Sequence, residues 1–238
     1  NGEELASPYT FTMPANEVII TAEFAEIEYF LIYTADDYLA FVIAANADLT
    51  INGKLMADID LTGKTVTSIG VASRDDSNNP DSPYSGVFDG NGHVIRNMSI
   101  SRKFSANKSA AIAMINMTKG ATIKNLGIEN ATITNTGAKE GVVLSALVGD
   151  AHNTTIENCY VKNSSIVSTQ NGYNINSAGP IAAYINGSTV VKDCYAIGNE
   201  IGFTTSGGTA TNGASISGFI GYSSTSVTVD SVINCYAK

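Results

Sequence analysis

The sequence is poor in the residues that most often do chemistry. It has no tryptophan, two histidines and three cysteines in 238 residues. No apolar run approaches the roughly 18 residues a membrane-spanning helix needs, so no membrane insertion is expected of this segment. Basic residues are scarce as well: 13 Lys and Arg face 22 Asp and Glu. The imbalance sits in residues 1–90, with 15 acids against 3 bases, whereas residues 91–238 carry 7 against 10. Such a distribution argues against nucleic acid and acidic membrane surfaces as partners. The odd cysteine count fits no disulfide framework, and the spacing of Cys159, Cys194 and Cys235 matches no zinc pattern. No signal-peptide pattern opens the chain, which reads as a mature or cut start.

What is abundant is repetition. TIKNLGIENATI (122–133) is rewritten as VIRNMSI (94–100), TIENCYVKNSSI (155–166), VVKDCYAIGNEI (190–201) and VINCYAK (232–238). Superposed on the polar position, the copies give a column Asn97, Asn125, Asn158, Asp193 and Asn234, with steps of 28, 33, 35 and 41 residues. A second motif runs in phase: AMIN (113–116), ALVG (146–149), AYIN (183–186) and GFIG (218–221), with GVFD (86–89) as a degenerate first copy. Alternation at period two predicts strands, with Ile123, Leu126 and Ile128 on one side and Lys124 and Gly127 on the other. Gly-, Ser- and Asn-rich spacers read as loops. A unit of this length that cannot bury its own apolar face is the mark of a stacked architecture. We therefore expect an all-β fold, a parallel β-helix.

Stacking gives the columns physical content. Equivalent positions in successive coils lie about 4.8 Å apart, so the Asn/Asp column can run a side-chain hydrogen-bond ladder. The next column, Met98, Leu126, Cys159, Cys194 and Cys235, is expected as a core stack, its three cysteines buried free thiols. A bridge between adjacent ones is the alternative, disfavoured because neighbouring Cβ atoms stand about 4.8 Å apart where a disulfide prefers about 3.8 Å.

The paired motifs GFIGY…VINCYAK and ALVGD…TIENCYV resemble the GLUG repeat. That repeat occurs in bacterial cell-surface and adhesin-like proteins and in secreted immunoglobulin-cleaving peptidases outside their catalytic part. YTADDYLAFVIAAN…KLMADIDLTGKTVTSIG…SGVFDGNGHVIRNMSI resembles the region that precedes such repeats. The resemblance spans residues 33–238 and implies a right-handed, pectate-lyase-like β-helix in an extracellular protein, at a cell surface or secreted. It carries no catalytic residues onto this chain.

Ahead of the repeats, residues 1–27 are expected as a β-hairpin, from the strand Tyr9–Met13, a Pro-Ala-Asn turn, and the alternation of Val18, Ile20, Ala22 and Phe24. This stretch resembles the tail of an internalin-type B-repeat. Residues 28–238 are expected as the β-helix domain, with repeats from about residue 85. A helix over 34–46 is predicted, N-capped by Thr34, with Asp36 and Asp37 suiting its dipole, Asn46 ending it, and Ala35, Leu39, Val42 and Ile43 as its apolar stripe. It would lid the N-terminal end of the core. Leu55, Ala57, Ile59 and Leu61 alternate as an early strand, and Val66–Gly70 as another. The repeat is broken at Lys238, so further domains of the parent chain, or another molecule over that edge, are expected.

Candidate sites are few. Asp75, Asp76, Asn78 and Asp81 offer oxygen ligands for Ca²⁺ in a polar loop, but the spacing lacks the Gly and Glu of an EF-hand; a solvated loop is the plainer reading, and no other cofactor is expected. Asp58, Asp60 and Asp89 read as turn hydrogen-bond acceptors. Tyr160, Tyr195 and Tyr236 follow the cysteine column and should face outward as a stacked row, serving either as lateral packing or as rings for a ligand. Tyr184 and Phe219 occupy like positions in the second motif. Arg96, Lys124 and Lys192 are expected in one outward column, interrupted by Glu157, as a solvated face. His93 and His152 have no Ser or Cys nucleophile within their repeats, so a triad has no support.

The reading these observations give is a non-catalytic, extracellular, adhesin-like repeat module of a bacterial surface protein, its partner a host or community glycan or surface protein. A carbohydrate-active enzyme fragment of lyase or glycosidase type and a structural spacer are the alternatives.

Overall fold

The computed structural model describes residues 27–72, 81–102, 110–136, 142–168, 175–203, 215–224 and 232–238. They form a parallel β-solenoid with one helix near its start. Each full coil has five short strands. One runs Thr122–Lys124, Gly127–Glu129, Thr132–Asn135, Val142–Leu144 and Val148–His152. The next repeats it as Thr155–Glu157, Tyr160–Lys162, Ser165–Ser168, Ile175–Ala178 and Ala182–Asn186. Equivalent strands pair in parallel and build five sheets along the axis, of seven, six, four, four and four strands among the described residues. We call them the first to fifth faces, in chain order around a coil.

A period of five within the coil explains the corners. TIKNL, GIENA and TITNT each place an isoleucine inward (Ile123, Ile128 and Ile133, all fully buried) and an Asn at the fourth position. Asn125 and Asn130 hold φ of 53° and 54°, in the left-handed region. Most L-residues are disfavoured there by about 1–2 kcal/mol, whereas Asn, Asp and Gly visit it readily. All nine non-glycine residues described with positive φ are Asn or Asp. Each such residue turns the chain from one face to the next; Asn135 lies instead within its strand, so the five-residue code sets the corners after the first and second faces, and the longer period stacks them.

One large apolar cluster fills the interior, and a small second one gathers Ala72, Ala111, Val143 and Ala183. Phe88, Ile123, Ile156 and Val191 stand in register on the first face. Ile95, Ile128, Val161 and Ala196 do so on the second. Burying an aliphatic side chain of this size contributes about 1.5–3 kcal/mol, and the column delivers it once per coil.

The helix spans Ala35–Ala47. Thr34 accepts a hydrogen bond from the Asp37 amide while the Asp37 carboxylate accepts from the Thr34 amide, a closed capping box. Its buried residues are Tyr38, Phe41, Val42 and Ala45. The expected stripe is thus rotated: Ile43 is 73% exposed and lies outside it. Aromatic packing moved the face, since Phe41 fits between Phe30 and Phe88 at 5.7 and 5.4 Å between centroids. Gly53 permits this, because a Cβ there would meet the Phe41 ring at 2.6 Å. Asn46 does not end the helix. It lies in the last turn, where its amide donates to Val42 and Ser68 carbonyls and its oxygen accepts from the Gly70 amide, tying helix to coil. The helix therefore packs across the first strands, Phe30–Ile32 and Ile59–Asp60, and its buried face joins the core.

Three further expectations shift. Ala57 is half-buried, although Leu55, Ile59 and Leu61 are buried as their alternation requires. Residues 66–70 do not make a strand; they contribute a single parallel pairing, Ile69 with Ile115. In the fifth face, Ile115, Val148, Ala182 and Ile220 are in register. The third copy of the second motif is therefore PIAA at 180–183, and AYIN lies three residues too late. The hairpin expected at residues 1–27 falls, but for Ile27, outside the described residues.

Candidate functional site

The second face gathers the sequence's candidate residues. In parallel register it carries an outward column Val94, Gly127, Tyr160, Tyr195 and Tyr236. Tyr160 and Tyr195 stack with ring centroids 4.9 Å apart and planes 2° apart; Tyr195 and Tyr236 stack at 5.3 Å and 10°. Gly127 makes room for the first ring, since a Cβ there would stand 2.4 Å from Tyr160 Cζ. Tyr160 is thus covered by Gly127 on one face and Tyr195 on the other. Stacking leaves the edges and hydroxyls of Tyr160 and Tyr195 pointing sideways, and Tyr236 is 54% exposed.

A chain of polar contacts runs from this row toward the first coils. The Tyr160 hydroxyl donates to Glu129 Oε1 at 3.0 Å. Glu129 Oε2 accepts from Arg96 Nε at 3.0 Å, Arg96 Nη1 reaches Asp58 Oδ2 at 2.9 Å, and Asp58 Oδ1 lies 3.1 Å from His93 Nδ1. Burial, then the Glu129 carboxylate, pushes the Tyr160 phenol up to about 12. The Arg96 guanidinium, against some desolvation, holds the Asp58 carboxyl below its ordinary range. Asp60 is held at about 2 by the Asn97 amide and by the side chain and backbone of Thr62.

Arg96 belongs to this face and not to the lysine column expected of it. Its column is Asp60, Arg96, Glu129 and Lys162, with charges of alternating sign. On the first face, Lys54, Asp89, Lys124, Glu157 and Lys192 alternate in the same way. Lys192 meets Glu157 at 2.7 Å and Lys124 lies 3.8 Å from Asp89. Glu157 is therefore no interruption. In-register stacking puts neighbours directly opposite, where like charges repel, and both columns avoid that at every charged step.

The polar ladder divides in two. After the first face the corner positions are Gly90, Asn125, Asn158, Asp193 and Asn234. Asn158 donates to Asn125 at 2.8 Å, Asn234 to Asp193 at 3.1 Å, and Asn125 to Asp89 at 3.0 Å. Asn97 stands instead at the second corner with Asn130, Asn163 and Gly198, because Arg96, Glu129, Lys162 and Ile197 are in register. Asn97 donates to Asp60 at 2.8 Å and Thr62 at 3.0 Å. VFD occupies the first face of that coil, so VIR is its second strand and stands on GIE; from Asn97 to its counterpart Asn130 is 33 residues, and the short first step of 28, to Asn125, is that coil less one five-residue unit. Met98 leaves the cysteine column with Asn97.

Leu126, Cys159, Cys194 and Cys235 follow the first corner in successive coils. All three cysteines are free; Cys159 and Cys194 are buried, but Cys235 is only half-buried, in the last described coil. On the fifth face Tyr184 stacks on Tyr222 at 5.2 Å, the partner being Tyr222 and not Phe219, for the reason given for AYIN. There His152 Nε2 lies 2.8 Å from Asp150 Oδ1. Asp58, Asp60 and Asp89 all accept turn or cross-coil hydrogen bonds. Asp75, Asp76 and Asn78 lie outside the described residues, and Asp81 is exposed. Among the described residues no group of three or more His, Cys, Asp or Glu stands where it could hold a metal ion, and no helix is long and apolar enough to cross a membrane.

The alternating charges were missed in the sequence, although once the five-residue code aligns the coils the signs can be read directly. Comparison with known proteins adds little. No family model matches the chain, and no curated protein does. Among solved structures, a "putative immunoglobulin A1 protease" from Bacteroides ovatus is similar over 87% of this chain and 74% of its own, at 17% identity and a TM-score of 0.47.

Proposed function

We propose that this chain is a non-catalytic, adhesin-like repeat module of an extracellular protein, and that its second face is the surface it presents to a partner. The observation that supports the reading is the tyrosine row held edge-on between two columns of alternating charge. Tyrosine is enriched at recognition surfaces because it offers a large, stiff, amphipathic contact. The flanking charges nearly cancel, so the face exerts little long-range pull on a polyelectrolyte and suits a neutral or mixed surface.

Ring geometry narrows the partner. Tyr160 and Tyr195 have their faces covered, so neither can act as a platform for the face of a sugar. Contact runs through edges and hydroxyls, which suits a protein surface better than a stacked glycan. A structural spacer is the second reading, favoured by one observation: the polar groups of this face already satisfy one another. The test is a glycan array and a cell-surface or extracellular-matrix protein array, probed with the wild-type chain and with Tyr195→Ala. The reading expects protein ligands that Tyr195→Ala loses at least tenfold. Absence of any ligand on either array favours the spacer, and ligands that bind the variant equally well move the site elsewhere.

A further inference from the structure

Asparagine followed by glycine recurs six times in the sequence, and three of these pairs lie within the described residues: Asn52–Gly53, Asn91–Gly92 and Asn186–Gly187. Glycine has no side chain to block an approach by its own amide nitrogen, so these are the places where that nitrogen can reach the preceding side chain. The fold treats the three differently. Asn52 is held at both ends of its side chain, Nδ2 donating to the Glu28 carbonyl at 3.0 Å and Oδ1 accepting from the Val87 amide at 2.8 Å. At the second pair the Gly92 amide donates to the Asn125 carbonyl at 2.9 Å, and Asn91 Nδ2 donates to the Leu55 carbonyl at 3.2 Å. At the third the Gly187 amide donates to the side chain of its own neighbour, Asn186 Oδ1, at 2.7 Å. Ser224 Oγ donates to the same oxygen at 2.6 Å. Backbone bonds hold both partners in place: the Asn153 amide donates to the Asn186 carbonyl at 3.3 Å, and the Ser224 amide to the Ile185 carbonyl at 3.0 Å.

We propose that Asn186 is a self-modifying site, at which the Gly187 nitrogen closes on the side-chain amide and the asparagine is converted to aspartate or isoaspartate. The Gly187 N–H bond points at that amide, so the electron pair left when hydroxide takes the proton is aimed at it. Cγ is one C=O bond, about 1.23 Å, from the oxygen already in contact, a pre-formed approach of the kind that speeds intramolecular reactions. The nitrogen attacks Cγ and an N–Cγ bond forms. Negative charge develops on Oδ1, where the Ser224 hydroxyl stands as an oxyanion donor. The Cγ–Nδ2 bond then breaks, and ammonia leaves with a proton from water, which restores the hydroxide. Water opens the five-membered ring at either carbonyl, giving aspartate or isoaspartate. In sum one amide and one water become one carboxylate and one ammonium. Lys119, His152 and Asn186 are in register on the fifth face. The product adds a carboxylate to that column, one rung from His152, so an aged molecule carries a charge on this face that a fresh one lacks.

The folded chain is held for weeks at neutral pH in water enriched in heavy oxygen, then digested in ordinary water, and the label gained by each asparagine peptide is read by mass. Label marks only the carboxylates made during the incubation. The Asn186 peptide is expected to gain it at least tenfold faster than those of Asn52 and Asn91. In urea-unfolded chain the three rates are expected to come within a few-fold of one another. Ser224→Ala, shown folded by its circular dichroism, is expected to slow Asn186 at least threefold and leave Asn91 unchanged. Asn52 or Asn91 reacting as fast as Asn186 in the folded chain overturns the proposal, as does an Asn186 peptide that takes up no label. So does an Asn186 lead that survives unfolding undiminished, since the fold would then not be its source. An unchanged Asn186 rate in Ser224→Ala overturns the part given to the hydroxyl. Should Ser224→Ala not fold, the wild-type ranking, folded against unfolded, decides by itself.

Discussion

Asn158 combines the two constraints that organise the solenoid, so its replacement separates them. The residue holds φ at 51° and donates to Asn125 Oδ1 at 2.8 Å. Alanine loses both. A left-handed conformation costs an ordinary L-residue about 1–2 kcal/mol, and a net hydrogen bond is worth about 0.5–1.5 kcal/mol. Asn158→Ala is thus expected to lose about 1.5–3.5 kcal/mol. Glycine loses the same ladder bond but tolerates the turn, at an entropic cost of about 0.5–1 kcal/mol relative to alanine. Asn158→Gly is therefore expected to be the milder change, by about 1 kcal/mol. Gly198, which occupies the second corner where earlier coils have Asn163 and Asn130, is the same exchange already present in this chain.

Urea unfolding of the two variants and the wild type measures the difference through the midpoint at constant slope. In a chain of 150–250 residues 1 kcal/mol corresponds to about 2–4 °C in Tm, which gives a second readout. Equal losses for Ala and Gly would refute the conformational half of the reasoning and leave the ladder as the whole effect. A loss near zero for Gly would show that the side-chain bond contributes nothing net, and that Asn is there for its backbone alone.

Tyr38 is fully buried in the helix, and among the described residues its hydroxyl has no hydrogen-bond partner; an unmade bond at a buried polar atom costs about 1–3 kcal/mol, so Tyr38→Phe should raise the thermal midpoint, and a fall would expose a bound water doing the bonding. Reversing one sign in a column, as in Glu157→Lys, puts three like charges in file with Lys124 and Lys192; the loss of stability should shrink as salt is raised from 0.05 to 1 M, on the order of the change in screening length, and a salt-independent loss would refute the electrostatic account. Asp60 titrates at about 2 in the fold against an ordinary 3.8. Its contribution is present in full above the ordinary value and is lost as pH falls from about 4 toward 2. Asp60→Asn should accordingly flatten the pH dependence of the urea midpoint in that window, and an unchanged slope would remove Asp60 from the acid response. Gly127→Ala should displace the Tyr160 ring, cost about 1–3 kcal/mol as overpacking does, and weaken the near-ultraviolet signal of the stacked tyrosines; an intact signal would mean the ring has room to give.

The stacked fold was legible because it is written twice, once as strands of period two and once as a recurrence of coil length. The cysteine and tyrosine files followed from the same superposition, and Tyr160, Tyr195 and Tyr236 do stack. Two things were not legible from that superposition. Similarity of letters placed VIRNMSI on TIKNLGI, whereas the backbone places it on GIENATI, because the five-residue code recurs on consecutive faces of one coil and its letters do not say which face a copy occupies. The helix stripe was misplaced for a different reason. A 3.6-residue count ranks Ile43 with Val42, but which side of this short helix is buried depends on the two rings it must fit between, Phe30 and Phe88.

The corner code joins the two lessons into one physical constraint. A parallel solenoid puts each residue over its counterpart, so every column has to tolerate its own repetition. Apolar residues, Asn and stacked tyrosine do so, since each can satisfy a copy of itself. A charge cannot, and the two outward charged columns alternate in sign instead. Looping out the coil of Lys124 and Glu129 would set Asp89 against Glu157 on the first face and Arg96 against Lys162 on the second, whereas the Asn and Ile columns would accept that omission without penalty. The surface charges therefore add a penalty against that omission to the register which the corners and the inward residues already set.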